Sequence, residues 1–533
     1  MRVELILGSV VSLGLLLAGA ACGGTDGDAS GVDVEEDAGP GGSSGKSSSG
    51  SSGDDDDDDD RRDAGSSGDV PTLKSDALVP GNVILAGIAG DDVVYLEVAQ
   101  TGLSLHAVPL AGGAPTKIAD VGDDDDYLVN GGALGLWTDV DGAVGTLHVW
   151  TRATGLRENV ATGSIVRGLF RASADGARVA FTQEVTTTPQ GAPLSAQIGV
   201  RDTAAATNAV TLTGTNVNTG NAMNLAASAC PPRMSFSGKA FFAAFCTGTD
   251  TAATNAKLVT VANASPSTVL RLDAASGAPT LKPIYIADSA GTKVFTIAAA
   301  NSAGVLIDVG APVTRSSFED NVADGAMLPD GSGIVFRTTG NALKKATTAS
   351  PPVVSSIVGA DVKGLLRLSP DNKSVLFHKL DRQQGSPLID FHAVDHTAAA
   401  PAAVSIVSTA AGVPIGFSGS SAFVFFLGDV TSNGAKLKSM PSAGGPTRTL
   451  TDAVAAVAVG PGTGAVFASN PKLVGQAPSQ FTVLELGHVD GASGDVSKIA
   501  DSVPEGEFAA KDKRLVYSRV AQQGSGLYAV TLP

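Results

Sequence analysis

Six histidines, three cysteines and a scatter of aspartates are the side chains of this 533-residue chain best suited to ligating a metal or moving a proton. The nearest thing to a ligand spacing is His392-Ala-Val-Asp-His396, two imidazoles four residues apart. On a helix both rings would share one face and could share a zinc ion. Here the segment lies in an apolar run with a period of two, which predicts a strand, and strand residues four apart are about 13 Å from each other. These two are therefore expected to be strand and turn histidines, while His106, His148, His378 and His488 stand alone. Gly460-Pro-Gly-Thr-Gly464 has the glycines of a phosphate loop without the Lys-Ser/Thr and helix that complete one, so hairpin glycines are expected. The acidic stretches from Asp123 to Asp126 and from Asp139 to Gly142 offer oxygens to calcium but fall short of its full ligand ladder, and they read as solvated turns. No Gly-x-Ser-x-Gly elbow occurs. The chain thus presents no catalytic residue, metal site or cofactor site that local spacing can identify.

The cysteines divide by position. Cys230 and Cys246 flank a predicted hairpin turn at Gly238, and in a hairpin centred there they face each other at a separation a disulfide can span. Closing a loop of ~15 residues contributes about 3 kcal/mol in the chain-entropy account. The alternative is two buried thiols. Cys22 belongs to a different segment. Arg2 precedes an apolar stretch ending in small residues at Leu17-Ala-Gly-Ala-Ala21, which reads as a secretory signal over 1–21. The cysteine directly after it resembles the lipobox of bacterial lipoproteins. That resemblance implies acylation of Cys22 and an exported protein on the outer membrane, facing the periplasm or the cell surface. Lipoboxes favour Leu three residues before the cysteine, where this chain has Gly19. The alternative is cleavage after Ala18-Gly19-Ala20, leaving Cys22 unmodified.

Residues 22–70 are rich in Gly, Ser and Asp and include seven consecutive aspartates, Asp54 to Asp60. So little apolar surface cannot offset chain entropy, which predicts a disordered tether. Sixteen acidic side chains against four basic ones in residues 23–76 supply -12 of the net charge of -17. The remainder is close to neutral. An acidic chain without clustered Lys and Arg is poorly suited to nucleic acid, so none is expected as a partner.

From 71 to 533 the chain repeats itself. Ala172-Ser-Ala-Asp-Gly-Ala-Arg-Val-Ala-Phe181, Leu328-Pro-Asp-Gly-Ser-Gly-Ile-Val-Phe336 and Ser369-Pro-Asp-Asn-Lys-Ser-Val-Leu-Phe377 share a turn followed by a strand that ends in an aromatic. Looser copies occupy 235–242, 418–425, 460–467 and 510–517. Asp-Gly, Asp-Asn and Ser-Gly tolerate the positive φ of tight turns, and Val, Ile and Phe suit packed strands. Third strands follow with apolar residues two apart, and a fourth completes each unit. Second strands are predicted near 93, 134, 178, 240, 294, 334, 375, 423, 465 and 514, giving ten units of four short strands. One such sheet leaves both faces exposed, and stacking the sheets radially covers them, the logic of a β-propeller. The turn-and-strand signature resembles TolB-like and WD-type propellers. It carries fold residues and transfers no catalytic role. Pro71-Thr-Leu-Lys-Ser-Asp-Ala-Leu-Val79 echoes the outer strand Pro446-Thr-Arg-Thr-Leu-Thr-Asp-Ala-Val454, so 71–78 is expected beside 527–532, closing the last unit. Propellers usually have four to eight blades, so ten units leave open one large ring or two smaller ones.

The expected role is an envelope protein held to the membrane by its lipid, its propeller binding a protein or small ligand, with no catalysis. One alternative is a propeller hydrolase or lyase whose channel carboxylates converge from several blades, walled by insertions at 183–197 and 248–256. Another is a structural surface protein. Only Trp137 and Trp150 are available as carbohydrate platforms.

Overall fold

The computed structural model describes residues 70–187, 193–205, 210–218, 233–246, 256–261, 269–273, 281–310, 312–379, 388–431, 434–475, 480–521 and 523–533. The signal, Cys22 and the tether lie outside these residues, as does Cys230. The described chain folds as antiparallel strands in ten four-stranded blades. Their second strands are Asp92–Ala99, Ala133–Asp141, Arg178–Thr187, Ala240–Cys246, Lys293–Ala298, Gly333–Thr338, Ser374–His378, Phe423–Thr431, Gly464–Val474 and Arg514–Arg519. Each falls where the repeat places it.

Blades 7, 8 and 9 form one continuous ten-stranded sheet. Two long strands cause this by serving two blades each. In Ala403–Phe417 the first part pairs with Leu388–Asp395 of blade 7, and 412–417 pair with Phe423–Thr431 of blade 8. Arg448–Val459 does the same for blades 8 and 9, turning at Ala453, whose φ is 55°.

The core consists of seams between blades. Among the described residues ten buried apolar clusters are found, and each joins two consecutive blades. Val94, Leu105, Leu134 and Trp150 join blades 1 and 2. Trp137 and Phe181 join 2 and 3, Ile198 and Phe241 join 3 and 4, Phe242 and Val305 join 4 and 5. The sequence continues through Ile297 with Phe336, Val335 with Phe377, Leu376 with Phe426, Phe425 with Val489, and Leu484 with Tyr517. The tenth cluster packs Val516 and Leu527 of blade 10 against Val93 and Val108 of blade 1. That connectivity is one closed circuit of ten blades. Two smaller rings would need closing seams between non-consecutive blades. Burying each such side chain contributes ~1.5–3 kcal/mol, so every blade is stabilised by both neighbours.

The turn between first and second strands locks these seams. The Gly90 amide bonds the Gly131 carbonyl (3.1 Å), Gly132 bonds Ser173 (2.8 Å), Ser289 bonds Pro329 (2.8 Å) and Ser420 bonds Gly462 (2.7 Å). Within the turns, Asp175 accepts from the Ser173 hydroxyl (2.7 Å) and the Ala177 amide (3.0 Å), and Asp371 accepts from Ser369 (2.6 Å). The repeated Ser/Pro-Asp-Gly motif is therefore a turn brace.

Ser75–Pro80 pairs antiparallel with Gly526–Thr531, so an N-terminal strand closes the last blade as expected. The boundary differs from the predicted 71–78. Residues 71–73 instead lie against the outer strand of blade 9, where Leu73 donates to Lys498 (2.8 Å) and Lys498 donates to Pro71 (2.9 Å). The segment is a strap over the seam between blades 9 and 10. Leu73 draws it there by packing on that seam's core.

Candidate functional site

Three of the six histidines occupy a recurring position of the blade, while His378 ends the second strand of blade 7 and His488 faces Val466 in blade 9. In register, the third-strand residue opposite the fourth position of the second strand is His106 (facing Tyr95), His148 (facing Leu136), His392 (facing Phe377) or Tyr528 (facing Tyr517). His106 stacks on Tyr95 with centroids 5.5 Å apart, His392 on Phe377 at 5.6 Å, and Tyr528 on Tyr517 at 5.7 Å. Blades 3 and 9 have Gly199 and Gly487 at this position, and an added Cβ would meet the Phe181 ring at 2.7 Å or fall inside contact distance of the Phe467 ring. These rings cover the slot that histidine fills elsewhere. His392 also pairs with Asp390 (2.8 Å), while His396, just past the strand, bonds the Asn372 carbonyl through Nε2 (2.8 Å). Burial lowers the pKa of both, more than the neighbouring carboxylates raise it. The two imidazoles serve different contacts, as a strand dictates. Among the described residues, no three His, Cys, Asp or Glu side chains are grouped to hold a metal ion.

The other sequence candidates also have structural places. Gly460–Gly464 forms a turn between strands of blade 9. Asp126 begins the first strand of blade 2 and pairs with Arg167 (2.5 Å), while Asp139 and Asp141 lie in the hairpin that turns at Gly142. Trp137 and Trp150 are buried in seams. Arg233–Ser237 and Ala240–Cys246 form the predicted hairpin around Gly238. Cys246 lies on its second strand, and its expected partner Cys230 is outside the described residues. The 183–197 insertion lengthens the second hairpin of blade 3, while 247–255 are not described.

A different group has the makings of a site. First strands pair on one side only, and those of successive blades approach one another, which puts them at the inner edge of the ring. Three of them carry Arg171 (Arg171–Ala172, blade 3), Arg233 and Ser235 (Arg233–Ser237, blade 4) and Tyr285 (Leu281–Ala287, blade 5). The alternation of each strand decides the orientation. Met234 enters the core between blades 3 and 4, so its neighbours Arg233 and Ser235 face blade 5. There the Tyr285 hydroxyl donates to the Phe242 carbonyl (2.9 Å) and lies 2.9 Å from the Ser235 hydroxyl. Burial pushes the Tyr285 pKa well above the ordinary tyrosine value, against the opposing pull of Ser235, Arg171 and Arg233, so the phenol stays neutral. Arg171 donates to the Phe170 carbonyl (2.7 Å), and burial lowers its pKa without discharging it.

Neither Arg171 nor Arg233 pairs with a described carboxylate. Some arginines elsewhere do, such as Arg337 with Asp324 (2.7 Å), Arg519 with Asp501 (2.7 Å) and Arg178 with Asp202 (2.9 Å), while Arg448 and Arg514 bond main-chain carbonyls instead. Two guanidinium groups flanking a neutral hydroxyl pair form a donor-rich, positively charged patch, chemistry that suits a carboxylate or phosphate. Local motif reading missed it, because the four residues come from three blades. The available signal was the arginine at the start of two predicted inner strands.

No family model and no curated protein matches this chain. Solved structures align with parts of it. A prolyl endopeptidase aligns at 11 % identity with a TM-score of 0.38, over 78 % of this chain and 55 % of its own. A eukaryotic initiation factor aligns at 12 % and 0.40, over 71 % and 90 %. TolB from Acinetobacter baumannii aligns at 15 % and 0.26, over 62 % and 81 %. This chain spans just over half the length of the endopeptidase. At these identities and TM-scores the alignments carry no argument, and the ten seams carry the propeller assignment by themselves.

Proposed function

We propose that this is an exported envelope protein, anchored through an acylated Cys22 and an acidic tether over 22–70, whose ring binds a partner bearing a carboxylate or phosphate. The partner engages the inner edge of blades 3 to 5. The observation that carries this reading is the pair Arg171 and Arg233, without a described carboxylate partner beside the Tyr285–Ser235 hydroxyls, in a body that is close to neutral. A field of this sign attracts anionic ligands. The hydrolase or lyase alternative asks for free carboxylates at the inner edge. Asp126 and Asp324 on first strands are held by Arg167 and Arg337, while Glu507, just before the first strand of blade 10, is buried with Ser518 and the Leu85 amide and pairs with no described cation.

The test is site-specific photo-crosslinking from position 237, beside Ser235, in intact envelopes. Wild-type protein should yield one discrete adduct, and Arg171→Gln/Arg233→Gln should abolish it while leaving the melting temperature unchanged. An adduct of equal yield in the double variant overturns the reading. Anchoring is tested separately: Cys22→Ser should release the protein from the membrane fraction.

A further inference from the structure

The strap that closes the ring also roofs a cavity of about 470 Å³. Thr72, Leu73, Lys74 and Ser75 form one wall, and blades 9 and 10 supply the others through Lys498–Asp501, Tyr517, Arg519 and Tyr528. Its size falls within the ~300–1,000 Å³ of small-molecule sites. The cavity exists because the strap changes partner. It pairs with Lys498 in blade 9, then crosses to Val530 in blade 10, leaving a gap beneath the crossing.

Three cations line this gap against one carboxylate. Arg519 is committed to Asp501 through Nε (3.1 Å) and Nη2 (2.7 Å). Lys498 is only loosely drawn to the same group, at 3.6 Å. Lys74 makes no ion pair with a described residue. Two ammonium groups are thus available to a ligand, one on the strap and one on blade 9. The lining is also amphipathic. Tyr517 and Tyr528 stack at an interplanar angle of 16°, with Tyr517 Oη 2.9 Å from Ser75 Oγ on the strap and Tyr528 Oη tied to the Gly524 carbonyl (2.7 Å). Their hydroxyls are occupied, so Tyr528, whose ring is partly exposed, offers chiefly an aromatic face.

We propose that this cavity binds a small organic anion, a carboxylate or phosphate carried on a flat apolar body. The anion bridges Lys74 and Lys498, and the body lies on the tyrosine stack. A ligand held by both strap and blades binds only the closed ring, so it stabilises closure by linkage. This site is separate from the inner-edge patch and stands or falls independently of it.

The experiment uses the full chain with 2-naphthoate and 1-naphthyl phosphate as fluorescent probes and uncharged 2-naphthol as control, at pH 7. Both anions should bind at least tenfold more tightly than 2-naphthol and should slow exchange of the Leu73 and Val530 amides. Lys74→Gln/Lys498→Gln should weaken anion binding at least tenfold while leaving 2-naphthol unaffected. Both changes are at exposed or half-exposed ammonium groups, and the Lys498 main chain still holds the strap. Protection of the Leu73 amide by either anion, a readout local to the strap, should persist in Arg171→Gln/Arg233→Gln. Failure of either anion to bind, equal binding by the lysine variant, or binding without protection of Leu73 each overturns the proposal.

Discussion

Substituting alanine for Gly176 isolates the force that holds neighbouring blades together. Gly176 sits in the first turn of blade 3 at φ 69°, with its α-carbon against the Gly132 backbone of blade 2. An added Cβ would fall inside contact distance of the Gly132 carbonyl oxygen and 2.9 Å from its carbon. Neither backbone can move without opening the seam. Two costs follow: left-handed backbone at an L-residue, ~1–2 kcal/mol, and overpacking against a fixed neighbour, ~1–3 kcal/mol. Gly142 provides the control, because its φ is 63° and nothing lies within 4 Å of its would-be Cβ. Gly142→Ala incurs the first cost alone. The difference of ~1–3 kcal/mol corresponds to roughly 5- to 150-fold in a local opening constant. Native-state hydrogen exchange reads it at the Gly132 amide, which donates across this seam to Ser173 (2.8 Å). That amide should exchange faster by this factor in Gly176→Ala than in Gly142→Ala. Equal rates would show that the turn glycines serve φ alone, and the account of turn-locked seams would be wrong.

Burial raises the pKa of Glu507, at the closing blade, and the hydrogen bonds from Ser518 and the Leu85 amide do not reverse this. Its protonated form is favoured in the fold, so wild-type stability should fall as pH rises from the ordinary glutamate value through the raised one. Glu507→Gln should remove that slope and add about 1–3 kcal/mol at pH 7, measured by urea unfolding. His392, His396 and His488 behave oppositely, since burial lowers all three from 6.5. Each must lose a proton to fold, so stability should decline as pH falls below about 6.5 toward their lowered values; melting curves that stay flat from pH 7 to 5 would contradict this. A non-reducing peptide map should recover Cys230 and Cys246 in one linked fragment, and alkylation of both as free thiols would remove the proposed disulfide.

Much of the architecture was legible because it is written locally. Asp175, Asp330 and Asp371 each brace a turn within two or three residues of themselves, and the strand after each turn carries at its fourth position a phenylalanine that the seam needs. Repetition then allowed looser copies, such as that at Gly462, to be placed by alignment. The strap was readable as an extra outer strand because Pro71–Val79 echoes Pro446–Val454. Its crossing from blade 9 to blade 10 was not, since that depends on Leu73 reaching the core of another blade. The role of the histidines was partly hidden too. A lone histidine in a strand reveals nothing until its register partner is known to be an aromatic ring.

By itself, the order of residues settled the blade, the number of blades and the turn chemistry, because strand alternation and turn conformation are short-range and recur ten times. Tertiary structure alone decided that the blades form one circuit, and that Arg171, Arg233, Ser235 and Tyr285 share an edge. Both outcomes rest on packing between side chains dozens to hundreds of residues apart. Such contacts follow from how twisted sheets stack around a ring, and no spacing along the chain encodes them.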